Sequence, residues 1–258
     1  MCLIVLALAQ HPEYPLILLA NRDEYYARPT APLAWWQDHA QILAGRDLQA
    51  GGSWLGINRN GYIAALTNFR EAPPLPGIHS RGKIVSDYLR NIDDANNIPD
   101  FINAIKRSAY AGFNALYGNT AGEMYYFSNR SKEAYQKLTP GVYGLSNHLL
   151  DTDWPKVRSI KQLLAQELQG TTLDESALLN LMRDTTLANA DELPATGVSW
   201  IQEKMLSPIF IKTADYGTRS TSLLTINKAG HINFTEIEYS SLTLNSDVIT
   251  RHAFDFTV

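Results

Sequence analysis

Apolar residues run without a break from Cys2 to Ala9, a stretch rich in Leu, Ile and Val. It is too short for a helix of ordinary length and suits a strand covered on both faces. His11-Pro12-Glu13-Tyr14-Pro15 reads as a turn, and Leu16 to Ala20 as a second strand, so the pair predicts a hairpin. At the end of that second strand stand four polar residues, Asn21-Arg22-Asp23-Glu24. The pattern then loosens: residues 25–53 read as a long irregular segment with one short strand near Ile42 to Gly45, the kind of connection that often carries binding residues. Order returns at Trp54 to Asn58 and Tyr62 to Asn68, which flank Arg59-Asn60-Gly61, and Asn-Gly between apolar runs is a strong hairpin signal.

Residues 70–79 carry Pro73, Pro74, Pro76 and Gly77 and read as a rigid linker or lid. Val85, Tyr88, Leu89 and Ile92 then recur at helical spacing, predicting a helix from Ser80 to Arg90, with another from Asp100 to Lys106. Strands are predicted over Phe113–Tyr117, Glu123–Ser128 and around Gly141–Leu145, the last ending at Ser146-Asn147-His148. Trp154 to Leu168 is helical, with Pro155 at the first position where it is tolerated, and a further helix runs from Leu173 to Asp184. Residues 188–217 read as irregular, Tyr216 to Ser220 as the lead into a strand over Thr221–Asn227, Ile232–Tyr239 as its hairpin partner, and Val248–Val258 as a final strand. Helices arrive in pairs between groups of strands rather than after each strand. That order argues against a doubly wound parallel sheet and predicts an α+β fold, two antiparallel sheets packed together and flanked by helices, in a single domain over residues 1–258.

Composition narrows the function. The 258 residues are 45% hydrophobic and 19% charged, with a formal net charge of −4 and scattered Lys and Arg, which excludes a clustered nucleic-acid surface. No run approaches the ~18 apolar residues of a membrane span, and the opening stretch lacks the basic start of a signal peptide, so a cytoplasmic protein is expected. The single cysteine rules out an internal disulfide and a cysteine-based zinc site, and no metal site is expected.

That cysteine is the second residue. Removal of Met1 would give it a free α-amine on the carbon that bears the thiol, and an N-terminal amine can act as the base that activates such a nucleophile. The amine titrates near ~7.7–8.0 and so can accept a proton at neutral pH. The plain alternative is a small buried hydrophobe. Acyl transfer by Cys2 would also need groups to hold the amine, for which Asp23 is suited, and donors for the oxyanion, which Asn68 and Asn147 could supply. Arg22 or Arg219 would favour the thiolate. Asn21, Glu24, Trp35, Trp36, Trp54 and His148 are candidate ligand contacts, although two indoles can equally pin a loop to the core.

Asn21-Arg22-Asp23-Glu24 is the tetrapeptide of the NRDE family, also called the transport and Golgi organisation protein 2 family. Gly52 to Asn58, Ala65 to Arg70, Ser80-Arg81-Gly82, Gly144 to Asn147 and Tyr216 to Ser220 resemble further blocks of that family in the same order, over residues 2 to about 240. More distantly the chain is similar to N-terminal nucleophile hydrolases of the penicillin V acylase and bile salt hydrolase type, which implies an αββα sandwich. On that likeness Cys2 matches the nucleophile, Arg22 and Asp23 the pair after the second strand, Asn68 the residue ending the Gly56 hairpin, Asn147 the residue of a later Thr-Asn-Asn, where His148 departs from the pattern, and Arg219 the late arginine. The resemblance implies a hydrolase of an amide or thioester with no required cofactor. It equally implies a non-catalytic carrier of haem or of an acyl-lipid or acyl-CoA ligand, since the family has been linked to Golgi organisation, lipid metabolism and haem trafficking. The expected partner is a small or acylated molecule.

Overall fold

Two apolar hairpins and the segments that extend them build the protein's two sheets. The computed structural model describes residues 2–73, 75, 77–239 and 248–258. In chain order the strands and helices are β1 (Cys2–Leu8), β2 (Leu16–Tyr25), β3 (Thr30–Trp35), β4 (Ile42–Asp47), β5 (Leu55–Asn58) and β6 (Tyr62–Asn68), then α1 (Gly82–Asn91) and α2 (Ile98–Ala104). There follow β7 (Phe113–Asn119), β8 (Met124–Ser128), β9 (Gln136–Lys137), β10 (Gly141–Leu145), α3 (Pro155–Glu167), α4 (Glu175–Leu181), α5 (Trp200–Met205), β11 (Tyr216–Ile226), β12 (His231–Tyr239) and β13 (Val248–Thr257).

Among the described residues the strands form a six-stranded sheet in the order β10-β1-β2-β11-β12-β13 and a seven-stranded sheet in the order β3-β4-β5-β6-β7-β8-β9. All their pairings are antiparallel. The period of two along each strand sorts side chains into layers. Ile4, Leu6, Leu16 and Leu18 meet Leu55, Ile57 and Ile63 of the other sheet in a central core. Leu3, Val5, Ile17 and Leu19 face outward under α3 and α4, against Val157, Ile160, Leu164 and Leu178. On the far side Ala64, Phe113 and Tyr117 pack under α1 and α2 through Val85, Tyr88 and Ile102. The result is an αββα sandwich, and every residue of β1 is buried because that strand is covered on both faces.

Several expectations are corrected. Asn21-Arg22-Asp23-Glu24 does not follow the second strand but lies inside it: β2 continues to Tyr25 because β11 pairs alongside it from Ile226 back to Tyr216. The same pairing makes Tyr216 to Ser220 part of β11 rather than a lead into it. The segment 25–53 holds two strands, β3 and β4, not one. β3 lies at the edge of its sheet with an irregular register between Ala31 and Ala34, which accommodates Pro32 and disguises the alternation. Residues 188–217 include α5, closed at its start by a reciprocal cap between Ser199 and Gln202. Of the expected proline-rich linker, Pro74 and Pro76 lie outside the described residues.

Candidate active site

Cys2 opens β1 and stands opposite Arg22 of β2 in the antiparallel register. Alternation places Arg22 on the side toward the second sheet, where its guanidinium lies 4.2 Å over the ring of Trp54 and Nη1 donates to Thr30 Oγ1 at 3.0 Å. Its neighbour Asn21 points the other way, into the helical layer. The Asn21 amide donates to the carbonyls of Met182 and Ile209 at 2.8 and 2.9 Å, and its oxygen accepts from Thr221 Oγ1 at 2.6 Å. Asp23 accepts from Thr218 Oγ1 at 2.7 Å, and Tyr216 donates its hydroxyl to the Asp23 carbonyl at 3.0 Å. Between Thr218, opposite Asp23, and Ser220, opposite Arg22, the ladder slips by one residue at Arg219. That bulge sends the Arg219 side chain to the carbonyls of Tyr25, Tyr26 and Arg28, at 2.9, 3.2 and 3.1 Å, where it pins the β2–β3 connection.

A cavity of about 120 Å³ opens beside Cys2, with Arg22, Asp23 and Glu24 on the same wall. Ser53 and Trp54 close it from the approach to β5, and Leu66 and Asn68 from the end of β6. Ser80, Arg81 and Gly82 bring the N-terminus of α1 to it. Two glycines allow that approach: a Cβ on Gly52 would lie 2.3 Å from the backbone carbon of Gly82, and Ser53 N donates to the Gly82 carbonyl at 3.1 Å. Arg28 and Asp47 complete the rim as a two-pronged pair at 2.6 and 3.1 Å, with Glu24 3.9 Å from Arg28. A larger cavity of about 290 Å³ opens elsewhere, beside α3, between Lys156, Asp184 and Ile209.

Burial pushes the Cys2 thiol up, and the Asp23 carboxylate adds to the effect. The Arg22 guanidinium and a hydrogen bond from the Asp23 backbone N–H oppose it by favouring the thiolate. Asp23 is itself raised by burial, against the pull of Lys156 and the Thr218 hydroxyl. Lys156 is fully enclosed, donates to the Leu206 carbonyl at 3.0 Å, and is lowered by burial to about 8, with Asp23 holding it up. Close by, Arg70 and Glu203 form a buried ion pair at 2.6 Å. The site therefore rests on a layer of enclosed charges whose members set one another's protonation.

Of the residues singled out in the sequence, Cys2, Arg22, Asp23, Glu24, Trp54 and Asn68 converge on this cavity. Asn147 stands behind it: fully buried, its amide donates to the Asn68 carbonyl at 2.9 Å. Asn21 and Arg219 are engaged as described above. Trp35 packs on Phe256 and under Arg59, and Trp36 donates to the Ala44 carbonyl beneath Arg46, so neither indole lines the cavity. His148 contacts Thr152 Oγ1 at 2.9 Å and sits between the rings of Phe69 and Trp154, and burial lowers its pKa. Arg28, Asp47, Ser53, Ser80 and Arg81 line the cavity without having been singled out. The available signal was the place of Ser53, Ser80 and Arg81 in two blocks that resemble the family, Gly52 to Asn58 and Ser80-Arg81-Gly82.

The fold is that of the N-terminal nucleophile hydrolases. Among solved structures it superposes on a variant of conjugated bile acid hydrolase from Clostridium perfringens with a TM-score of 0.56, at 10% identity, over 99% of this chain and 92% of that one. It matches an N-acylethanolamine-hydrolyzing acid amidase ortholog from Caenorhabditis elegans with a TM-score of 0.51, also at 10% identity, over 86% and 92% of the two chains. Within that fold, the Transport and Golgi organisation 2 family model matches residues 1–241, and the chain belongs to that family. The mouse Transport and Golgi organization 2 homolog is 31% identical over 100% of this chain and 99% of its own length. The human homolog is 31% identical over 92% of each, and the Drosophila melanogaster protein 26% identical over 92% and 91%.

Proposed function

We propose that this protein is an N-terminal cysteine hydrolase that cleaves an amide or thioester acyl bond, with Cys2 as nucleophile after removal of Met1. The observation that carries the reading is the setting of the thiol. It lies at the head of a fully buried strand, opposite a buried guanidinium, beside a polar cavity that also takes in Asn68. In this reading the α-amine of Cys2 accepts the thiol proton and Sγ adds to the acyl carbon. Arg22 and Asn68 stabilise the negative oxygen of the tetrahedral intermediate. The C–N or C–S bond then breaks, the leaving amine or thiol takes the proton from the amine, and water hydrolyses the acyl-cysteine that remains. Asp23 orients the amine, and Asn147 holds the Asn68 backbone in place.

The residue environment supports this chemistry in a second way. Burial disfavours a standing thiolate, so a base that removes the proton during attack has a task to perform. The carrier reading for haem would draw its axial ligand, among the described residues lining this cavity, from Cys2 alone. Among the described residues no helix is long and apolar enough to cross a membrane, and a cytoplasmic location fits the reading.

The test begins with intact mass, which reports whether Met1 is removed. Amide and thioester panels are then run with the wild type, Cys2→Ala and Cys2→Ser. The expected result is acyl release that disappears with Cys2→Ala. Turnover that persists in Cys2→Ala, or a mature protein that retains Met1, ends the reading. Haem is titrated in parallel by absorbance, and a Soret shift that depends on Cys2 in the absence of any turnover would favour the carrier.

A further inference from the structure

The walls of the Cys2 cavity carry three arginines, Arg22, Arg28 and Arg81, and three carboxylates, Asp23, Glu24 and Asp47, and these do not all pair with one another. Several partly enclosed arginines close on a carboxylate, Arg28 on Asp47 at 2.6 Å, Arg70 on Glu203 at 2.6 Å and Arg130 on Glu71 at 2.7 Å, whereas Arg107 and Arg219 close on several backbone carbonyls. Arg22 and Arg81 have no carboxylate partner and one hydrogen bond each among the described residues. Among the described residues neither has a carboxylate oxygen within 4.0 Å, although Arg22 is only 5% exposed and Arg81 is half-buried. A guanidinium presents five N–H donors. Nη1 of Arg22 donates to Thr30 Oγ1 at 3.0 Å, and Nη1 of Arg81 to the Gly112 carbonyl at 3.1 Å. The three acidic side chains of the lining are engaged elsewhere, Asp23 by the Thr218 hydroxyl at 2.7 Å. Asp47 is held by Arg28 and by the backbone of Gln49 and Ala50, and Glu24 by the backbone of Tyr25, with Arg28 at 3.9 Å.

Burying cations without partners is costly unless an anion completes the pair. The Cys2 thiol is the main favourable charge partner of both guanidiniums, and burial raises its pKa, which weakens that pairing. The end of α1 adds to the demand. This ten-residue helix has no acidic residue in its first turn and no side-chain cap, and its positive dipole end, at Arg81 and Gly82, meets the cavity. A cavity of about 120 Å³ that opens to solvent has room for a small anionic group.

We infer that the cavity is a subsite for a carboxylate or phosphate group, seated between Arg22 and Arg81 at the N-terminus of α1, and that the acyl substrate carries this group a few bonds from the carbonyl that Cys2 attacks. The substrate class is thus an anionic thioester or amide. The second half of this statement rests on the hydrolase reading, and the first half does not. Arg81 acts as the specificity residue, because it binds the charge and not the reacting atoms.

Two measurements separate the halves. Binding is read with inorganic phosphate as the probe, through the rate at which iodoacetamide alkylates Cys2, the only cysteine, followed by intact mass. Millimolar phosphate is expected to slow alkylation of the wild type severalfold, to have no such effect on Arg81→Gln, and to have a reduced effect on Arg81→Lys. Turnover is compared for three thioesters: butyryl-N-acetylcysteamine, which is neutral, its succinyl analogue, and the butyryl thioester of 3-mercaptopropionate. The two charged substrates place the carboxylate on the acyl side and on the leaving side. One of them should exceed the neutral substrate in kcat/KM by about tenfold, the scale of one charged hydrogen bond, and Arg81→Gln should bring that ratio close to one through KM.

Phosphate protection that depends on Arg81, with no turnover of any thioester, keeps the anion site and ends the hydrolase reading. Turnover without charge preference and without phosphate protection keeps the hydrolase and overturns the anion site. Protection undiminished in a folded Arg81→Gln overturns it as well. Should Arg81→Gln not fold, Arg81→Lys decides: phosphate protection equal to that of the wild type counts against a guanidinium site.

Discussion

Cys2 and Arg22 are direct partners across the β1–β2 ladder, so the only thiol of the protein and a buried guanidinium share one side of the sheet. Hydrogen bonding to Thr30 and the stack on Trp54 hold the guanidinium there. Its position is therefore a property of both sheets and not of the hairpin alone.

Replacing that guanidinium should be read first in the thiol. Arg22 favours the thiolate, so in Arg22→Gln the pH profile of Cys2 alkylation is expected to move to higher pH than in the wild type. A profile that stays in place would remove Arg22 from the electrostatics of the nucleophile. Acyl release by the variant should fall ~100-fold, in the range for loss of one oxyanion donor.

Asn147 is expected to act as a brace. Its amide is fully buried and donates to the Asn68 carbonyl. Asn147→Leu leaves that carbonyl without its donor and should cost about 1–3 kcal/mol of stability, measured from urea midpoints. Lost turnover at unchanged stability would instead place the amide against the substrate.

The Arg70–Glu203 pair ties the 68–73 stretch to α5. Both side chains are enclosed, and Glu203 also accepts from the backbone and hydroxyl of Thr196. Glu203→Gln removes one charge and leaves the other buried, a change that typically costs about 3–5 kcal/mol. Thermal unfolding should show it as one of the most damaging single substitutions outside the apolar core. A shift of only a degree or two in Tm would mean that Arg70 finds another anion.

Lys156 gives stability a pH signature. Its pKa is about 8 in the folded protein and 10.5 as the ordinary value. Between these limits the unfolded chain binds more protons, so folding stability rises with pH there, and below about 8 both states are protonated and the contribution is flat. Relative to Lys156→Met, the wild type should gain on the order of 2 kcal/mol between neutral pH and pH ~9.5, measured as unfolding free energies of the two proteins. An equal pH dependence in both would show that the ammonium is solvated.

The layers of the fold were legible because each core strand carries a clear apolar signal. β1 is apolar throughout and buried on both faces, and Asn60-Gly61 marks the β5–β6 turn, with Gly61 at a φ of +79°. The errors arose where polar residues are buried or apolar ones exposed. Asn21 to Glu24 reads as a polar group at the end of the second strand because nothing in the local pattern shows that β11 will pair beside it or that carbonyls of Met182 and Ile209 await Asn21. α5 was missed because Trp200 and Ile201 lie on the surface, so its apolar residues do not repeat on an inner face. Within the site, Cys2 and Asp23 stood out by residue type, whereas Arg81 did not. A guanidinium without a carboxylate is visible only when the whole neighbourhood is assembled.

The alternation of β2 gives its tetrapeptide a phase. Arg22 looks toward the second sheet, while Asn21 looks into the layer of α3 and α4. One residue inserted into or removed from the turn between Ala9 and Pro15 would slide β2 by half a period against β1. An insertion would turn the guanidinium into the helical layer and set the Asn21 amide opposite the thiol, and a deletion would set the Asp23 carboxylate there. The order of the four letters thus matters more than their identity: the same residues shuffled would keep the composition and charge of the strand and lose both of its addresses.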